Sequence, residues 1–302
     1  MRTHRRRTRN LVTFLALVVL LGSSNVRATS LVVPAPADVV LLAAGDIASC
    51  SSSGDEATAA LLDARPAAVV ATLGDNAYPS GTAAEFADCY GPTWGRSRRR
   101  TRPTAGNHDY AIAGAAGYFG YFAGAAGDPS RGYYSYDLGA WHVVALNSNC
   151  SVVSCAREGP QERWLRADLA AHTNRCTLAY WHHPRFSSGT THGSTVAVAP
   201  LWKALFENDA DLVLQAHEHN YERFGPLDPS GSIDSARGMR SFVVGTGGRS
   251  HYPLGTPITG SRARNGDTFG VLRLKLTAQG FTWAFIAEAG GTFADSGSAR
   301  CH

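Results

Sequence analysis

Short apolar runs that stop abruptly at polar clusters set the rhythm of this chain. Val39 to Ala44 runs into Gly45-Asp46, and Ala67 to Leu73 into Gly74-Asp75-Asn76-Ala77-Tyr78. Pro103-Thr104-Ala105 leads to Gly106-Asn107-His108-Asp109. Thr177 to Trp181 ends in His182-His183-Pro184, and Leu212 to Gln215 in Ala216-His217-Glu218-His219. Continuous apolar runs of this length predict buried strands. Between the first two, Asp55 to Ala64 has helical composition with acids at its start, which suits a helix N-terminus. The result is a strand–helix–strand unit with both carboxylates at carboxyl ends of strands, where open α/β sheets bind ligands.

The remaining pattern fills in the architecture. Glu85 to Tyr90 is a short helical candidate. Tyr133 to Asp137 and Trp141 to Leu146 flank Gly139 and predict an antiparallel hairpin. Gln161 to Ala171 places Trp164, Leu165 and Leu169 on one stripe behind Pro160, a helix with proline at its start. Val196 to Asn208 predicts a second helix, with Pro200 as its alternative beginning. Ser241 to Val244, Gly270 to Leu276 and Phe281 to Ile286 predict late strands, the last two joined by a turn around Gly280. Buried strands mixed with hairpins and helices argue for two packed sheets covered by helices.

Composition changes this picture at the amino end. Arg2, Arg5, Arg6, Arg7 and Arg9 precede an apolar stretch from Leu11 to Leu21, and Val26-Arg27-Ala28 offers small residues for cleavage. This reads as a secretory leader over residues 1–28, shorter than the roughly 20 residues of a membrane helix. An uncleaved anchor is the alternative, and Thr3 to Phe14 loosely resembles a twin-arginine signal. The whole chain carries 28 basic and 24 acidic side chains. Six of the arginines and no acid lie in the leader, so +4 becomes about −2 in the remainder. The basicity therefore belongs to export, and no nucleic-acid-binding motif is read from it. One basic run, Arg96, Arg98, Arg99, Arg100 and Arg102, remains as either a solvated loop or a cationic flank for an anionic substrate.

The six cysteines, Cys50, Cys89, Cys150, Cys155, Cys176 and Cys301, suggest three disulfides in an exported protein. Fifteen pairings exist. Cys150–Cys155 closes the shortest loop, Cys50–Cys89 would tie the loops after the first two polar clusters, and Cys176–Cys301 would pin the tail to a sheet. No Cys-x-x-Cys repeat is present, which argues against a thiolate zinc site. No linker or repeat divides residues 29–302, which are read as one domain.

The polar clusters supply carboxylate, phenol, amide and imidazole groups, the mixture that holds two metal ions. Asp46 and Asp75, buried close together, would force one to keep its proton unless cations compensate them. Asn107 offers a neutral carbonyl oxygen. His108 then stands outside the coordination sphere as proton donor to a leaving alkoxide, with Asp109 orienting it or raising its pKa. Alternation along a strand lets only one of His182 and His183 reach the metals, whereas His217 and His219 share a face and Glu218 points elsewhere. Tyr221 and Arg223 are expected to brace the His217/His219 loop. No nucleotide-binding glycine motif or P-loop is present.

From Val39 to about Arg223 the chain resembles the calcineurin-like metallophosphoesterase family, and within it the purple acid phosphatase branch. The resemblance rests on Asp75-Asn76-Ala77-Tyr78, Tyr180-Trp181-His182-His183-Pro184 and His217-Glu218-His219-Asn220-Tyr221-Glu222-Arg223. Many family members carry a histidine two residues after the first aspartate, where this chain has Ala48. The resemblance implies an α/β fold, α+β in some schemes, with four layers of helices, two mixed sheets and helices. It implies a first metal held by Asp46, Asp75, Tyr78 and His219, and a second by Asp75, Asn107, His182 and His217. His108 would be the catalytic histidine.

A phenol ionises readily only beside a highly charged ion, so Tyr78 as ligand favours Fe(III) at the first position. Fe(II), Zn(II) or Mn(II) suits the second, and Zn/Zn or Mn/Mn pairs are the alternative with Tyr78 as a packed aromatic. The expected activity is hydrolysis of a small phosphomonoester by metal-held hydroxide attacking phosphorus. His183 and His192, with Asn107, are the candidate substrate contacts. A phosphodiesterase or nucleotidase with the same site is the alternative, and a secreted non-catalytic binding module a remote one. No obligate protein partner is read from the sequence, and no membrane attachment once the leader is removed.

Overall fold

The computed structural model describes residues 37–302 apart from residue 173, so the expected leader lies outside the described residues. The first half contains strands β1 (Val39–Ala44), β2 (Ala48–Ser49), β3 (Val69–Leu73), β4 (Ala77–Tyr78), β5 (Thr101–Thr104), β6 (Tyr134–Leu138) and β7 (Trp141–Ala145). The second contains β8 (Cys176–Tyr180), β9 (Leu212–Gln215), β10 (Tyr221–Phe224), β11 (Arg240–Val244), β12 (Ser261–Asn265), β13 (Gly270–Thr277), β14 (Gly280–Ala287) and β15 (Ser296–Arg300). The helices are α1 (Gly54–Asp63), α2 (Ala83–Glu85), α3 (Ala116–Phe122), α4 (Pro160–Ala171) and α5 (Ala199–Glu207).

Two mixed sheets pack face to face. One runs β15-β14-β13-β1-β3-β5 and the other β12-β10-β11-β9-β8-β7-β6, while β2 and β4 form a small parallel pair. The two-residue period of a strand explains the layering. In β8, Leu178 and Tyr180 face the core between the sheets, whereas Ala179 faces a second core under α4 and α5. In β9, Leu212 and Leu214 point inward and Val213 outward. Leu165 and Leu169 of α4 and Leu201, Trp202 and Leu205 of α5 fill that outer layer. Across the molecule Ala59 and Leu62 of α1 join the main core beside β13. This is the four-layer α/β sandwich implied by the resemblance.

Strands β1, β3 and β5 run parallel, as do β7, β8, β9 and β11. Their carboxyl ends therefore open onto the same edge of each sheet, and the polar clusters are the turns that leave those ends. All three disulfides form as Cys50–Cys89, Cys150–Cys155 and Cys176–Cys301. Four of the five arginines in the basic run have partners within the protein, and Arg99 is exposed. Arg96 pairs with Asp63, Arg100 donates to the Leu62 and Ala68 carbonyls, and Arg98 and Arg102 lie over Tyr121 and Tyr136. Among the described residues no helix is long and apolar enough to cross a membrane.

Candidate metal centre

Asp46, Asp75 and His217 all adopt left-handed backbone conformations, with φ of 59°, 51° and 71°. Such angles strain residues with side chains and concentrate where geometry is dictated by function. Each leaves a buried strand by a sharp turn that throws its side chain back over the strand end. Gly74 (φ 87°) precedes Asp75, and a Cβ there would meet the His182 ring at 2.7 Å. A Cβ on Gly106 would lie 2.0 Å from Asp75 Oδ1, so only glycine lets this loop approach the carboxylate.

Each carboxylate has one oxygen fixed by backbone and one turned to a shared centre. Asp46 Oδ2 accepts from the His217 amide (2.8 Å), and Asp75 Oδ1 from the His108 amide (2.8 Å). Asp46 Oδ1 lies 2.9 Å from the Tyr78 hydroxyl and 3.3 Å from His219 Nε2. Asp75 Oδ2 lies 3.0 Å from the Tyr78 hydroxyl and 3.2 Å from His182 Nε2. Pairing of β2 with β4 sets Tyr78 beside the Asp46 turn. Asn107 Oδ1 is 3.2 Å from His182 Nε2, and His217 Nδ1 is 3.1 Å from that same nitrogen.

Outer contacts aim the imidazoles. His182 Nδ1 donates to the Leu73 carbonyl (2.8 Å), leaving Nε2 to face inward. His219 Nδ1 lies 2.7 Å from Ser250 Oγ, and its ring stacks on Tyr252 at 3.8 Å. Metal-binding histidines commonly have such an outer partner. His108 Nδ1 donates to the Pro79 carbonyl (2.6 Å), placing Nε2 3.9 Å from Asp75 Oδ2.

Three sequence expectations change here. Asp109 does not touch the His108 ring. Its buried carboxylate accepts from the Gly106 amide (2.8 Å) and from Asn76 Nδ2 (2.9 Å), clasping the turns that carry Asn107 and Asp75. His183 is not turned away from the centre, because β8 ends at Tyr180 and strand alternation no longer applies. It forms a group with His182 and His217 whose ligand atoms lie within 4.8 Å of one another, and its Nδ1 is 2.8 Å from Ser148 Oγ. His192 is exposed, and its ring stacks on His217 at 4.0 Å. Glu218 does point elsewhere, and accepts from the His192 and Gly193 amides. Tyr221 and Arg223 bond Asp295 rather than the histidine loop.

The electrostatics of the donor set show which chemistry the centre suits. Burial, reinforced by Asp46 and Asp75, pushes the Tyr78 phenol well above its ordinary value. Burial disfavours charge on His182, yet Asp75 outweighs it and raises that imidazole to about 9. Burial opposes ionisation of Asp75 as well, but His182 and His108 hold its carboxyl below the usual range. Burial and the neighbouring His182 lower both His183, to about 3, and His217. Oxygen donors thus crowd a buried space whose main internal counter-charge is one imidazolium. Cations fit this donor set, since they would permit phenolate, carboxylates and neutral imidazoles together.

The buried donors Asp46, Asp75, Tyr78, His182 and His219 form the floor. Asn107, His108, His183, His192 and His217 are partly or fully exposed and form an open rim. Ser148, Ser250 and Tyr252 escaped the sequence reading, although Gly245-Thr246-Gly247-Gly248-Arg249-Ser250 is a further polar cluster behind an apolar run. Another group, His142, Asp168 and His172, sits at the amino end of β7 and the carboxyl end of α4. Both His142 nitrogens are already engaged, by Asp168 Oδ2 (2.8 Å) and Asp137 Oδ1 (3.1 Å).

Residues 27–221, more than half of the chain, match the family model described as calcineurin-like phosphoesterase. An uncharacterized protein of Mycobacterium tuberculosis, Rv2577, is 31% identical over 186 residues, covering 49% of this chain and 35% of that protein. Purple acid phosphatase 15 of Arabidopsis thaliana is 30% identical over 133 residues, covering 41% of this chain and 23% of that protein. The chain thus spans about a third or less of the length of these relatives. Among solved structures, purple acid phosphatase PPD1 of yellow lupin superposes with a TM-score of 0.67 at 16% identity, over 87% of this chain and 54% of that one. Plasmodium GAP50, described as the anchor in the inner membrane complex, superposes at 0.65 and 12% identity, over 88% and 89%. The last two are likenesses of fold.

Proposed function

The chain belongs to the calcineurin-like phosphoesterase family, and on that premise we propose that it is an exported two-metal hydrolase of phosphomonoesters. The supporting observation is Asp75, whose inward oxygen lies between the Tyr78 hydroxyl and His182 Nε2 at 3.0 and 3.2 Å. A carboxylate so placed suits a bridge between two ions. Asp46, Tyr78 and His219 complete one set of ligands, and Asn107, His182 and His217 the other. The phenol favours Fe(III) in the first set, and the imidazoles and amide favour Fe(II), Zn(II) or Mn(II) in the second. When bound, such a pair supplies positive charge to phosphoryl oxygens and acidifies water.

The chain's own residues do the rest. His108 Nδ1 is committed to the Pro79 carbonyl, so Nε2 is the atom free to give a proton to the departing alcohol. Asp109 holds the turns carrying Asn107 and Asp75 at a fixed separation. His183 and His192 stand on the rim beside His217, placed to donate hydrogen bonds to the ester. Three disulfides support folding in an oxidising compartment.

Metal analysis of native protein and a matched assay on a monoester and a diester test this reading. Two ions per chain, a visible phenolate-to-iron band and monoester turnover are expected. Faster diester turnover would make it a phosphodiesterase, and two bound ions without turnover of either ester would overturn the enzymatic proposal.

A further inference from the structure

Arg249 occupies an unusual position for a cation. Its guanidinium carbon lies 5.2 Å from the centroid of the Tyr78 ring, the phenol whose hydroxyl contacts both Asp46 and Asp75. The backbone beneath it is stitched to the metal-centre residues. The Arg249 amide donates to the Asp46 carbonyl (3.0 Å), Ser250 Oγ meets His219 Nδ1 (2.7 Å), and the Tyr252 amide donates to the His219 carbonyl (3.0 Å). The side chain is half-buried. Among the described residues it makes no ion pair, whereas Arg223 and Arg237 are paired with Asp295 and Asp209.

A half-buried guanidinium without an ion pair would carry a Coulombic cost beside a centre that holds cations. An anion arriving at the centre removes that cost. Guanidinium also presents several N–H donors to a charged phosphoryl oxygen, and stacking on an aromatic face leaves its edges free. We propose that Arg249 is a phosphate-binding residue of this centre that favours dianionic phosphomonoesters over singly charged diesters. The inference rests on the phosphoester reading above and names the charge class of its substrate. The third phosphoryl oxygen, carrying charge in a monoester and esterified in a diester, is the one assigned to Arg249. The His108 ring lies tilted against the same phenol, with centroids 4.4 Å apart, so acid and clamp share one aromatic neighbour.

The test uses the metal-loaded full chain with Arg249→Ala and Arg249→Lys. Binding of inorganic phosphate is read by calorimetry, and hydrolysis on a matched monoester and diester. Arg249→Ala should weaken phosphate binding and raise the monoester KM by about 10- to 100-fold, with diester kcat/KM changed less than about threefold. Arg249→Lys should recover part of the affinity but not the discrimination. Unchanged phosphate affinity in Arg249→Ala would overturn the proposal. So would loss of bound metal in that variant, because the guanidinium would then be balancing the ligand charges. If wild-type protein hydrolyses no phosphoester, the enzymatic reading fails, while phosphate calorimetry still decides the role of Arg249.

Discussion

Two clusters in this molecule contain the same chemistry, imidazoles against carboxylates, and differ in where the second nitrogen of each ring goes. At the amino end of β7, His142 spends both nitrogens on Asp168 and Asp137, and His172 stacks on its ring at 3.9 Å. His142 has no nitrogen left over to bind a visitor. At the carboxyl ends of β8 and β9, one nitrogen of His182 is spent on a backbone carbonyl and one of His219 on a serine, and the other faces a common centre. Residue type therefore does not distinguish a closed ion network from a metal centre. The distinction lies in inward donors from several strand ends that converge on one another around a shared centre.

The comparison is broken most severely at Asp75. Asp75→Ala should cost more than the roughly 10- to 100-fold that loss of an outer partner costs, and both ions should leave. Elemental analysis together with hydrolysis checks this; retention of two ions would remove the bridge from the argument. Next, His108→Ala should lower kcat about 100-fold or more while leaving metal content intact. Unchanged turnover would take the proton-donor role from His108. A smaller effect is expected at the tether: Ser250→Ala should weaken metal retention by about tenfold, read as faster loss to a chelator.

The smallest functional effect belongs to the closed cluster. His142→Ala should leave turnover unchanged and lower stability by about 1.5–3 kcal/mol at pH 6. Burial works against the charge on His142, but Asp168 and Asp137 outweigh it and raise its pKa. A raised folded-state value means the stabilisation is complete below the unfolded value near 6.5 and fades as pH climbs through the folded one. The facing groups are Asp137 on β6, Asp168 on α4, His172 just past its end, and Asn174 beside them. Urea titrations of both proteins from pH 5.5 to 9 should show the gap narrowing with rising pH. A gap of constant size would assign the effect to packing.

Much of the site was legible because four of the five polar clusters follow a strand whose apolar run is self-evident. β1 and β9 fall where the sequence predicts them, and β8 shifts by one residue. The helix α5 begins at Ala199, next to Pro200, with a single tighter turn before it. What was hidden has physical reasons. β12 (Ser-Arg-Ala-Arg-Asn) and β15 (Ser-Gly-Ser-Ala-Arg) are edge strands, whose polar sequences carry no burial signal. β5 begins inside the arginine run, and α3, rich in glycine and aromatics, carries weak helix propensity. Asp109 was misread because adjacency in sequence to His108 says nothing about which way a buried carboxylate turns.

The bridge between Cys176 and Cys301 imposes an order on biogenesis. A chain threaded amino end first into an oxidising compartment as it is made would close Cys50–Cys89 and Cys150–Cys155 while still emerging, since 39 and 5 residues separate their partners. Cys176 must wait for a partner 125 residues downstream, about 6–25 s at ordinary rates of synthesis. For that interval the strand leading to His182 carries an unpaired thiol, able to attack either earlier bridge. Faithful maturation thus depends on β8 being tucked into its sheet before an oxidant or a rival sulfur reaches it.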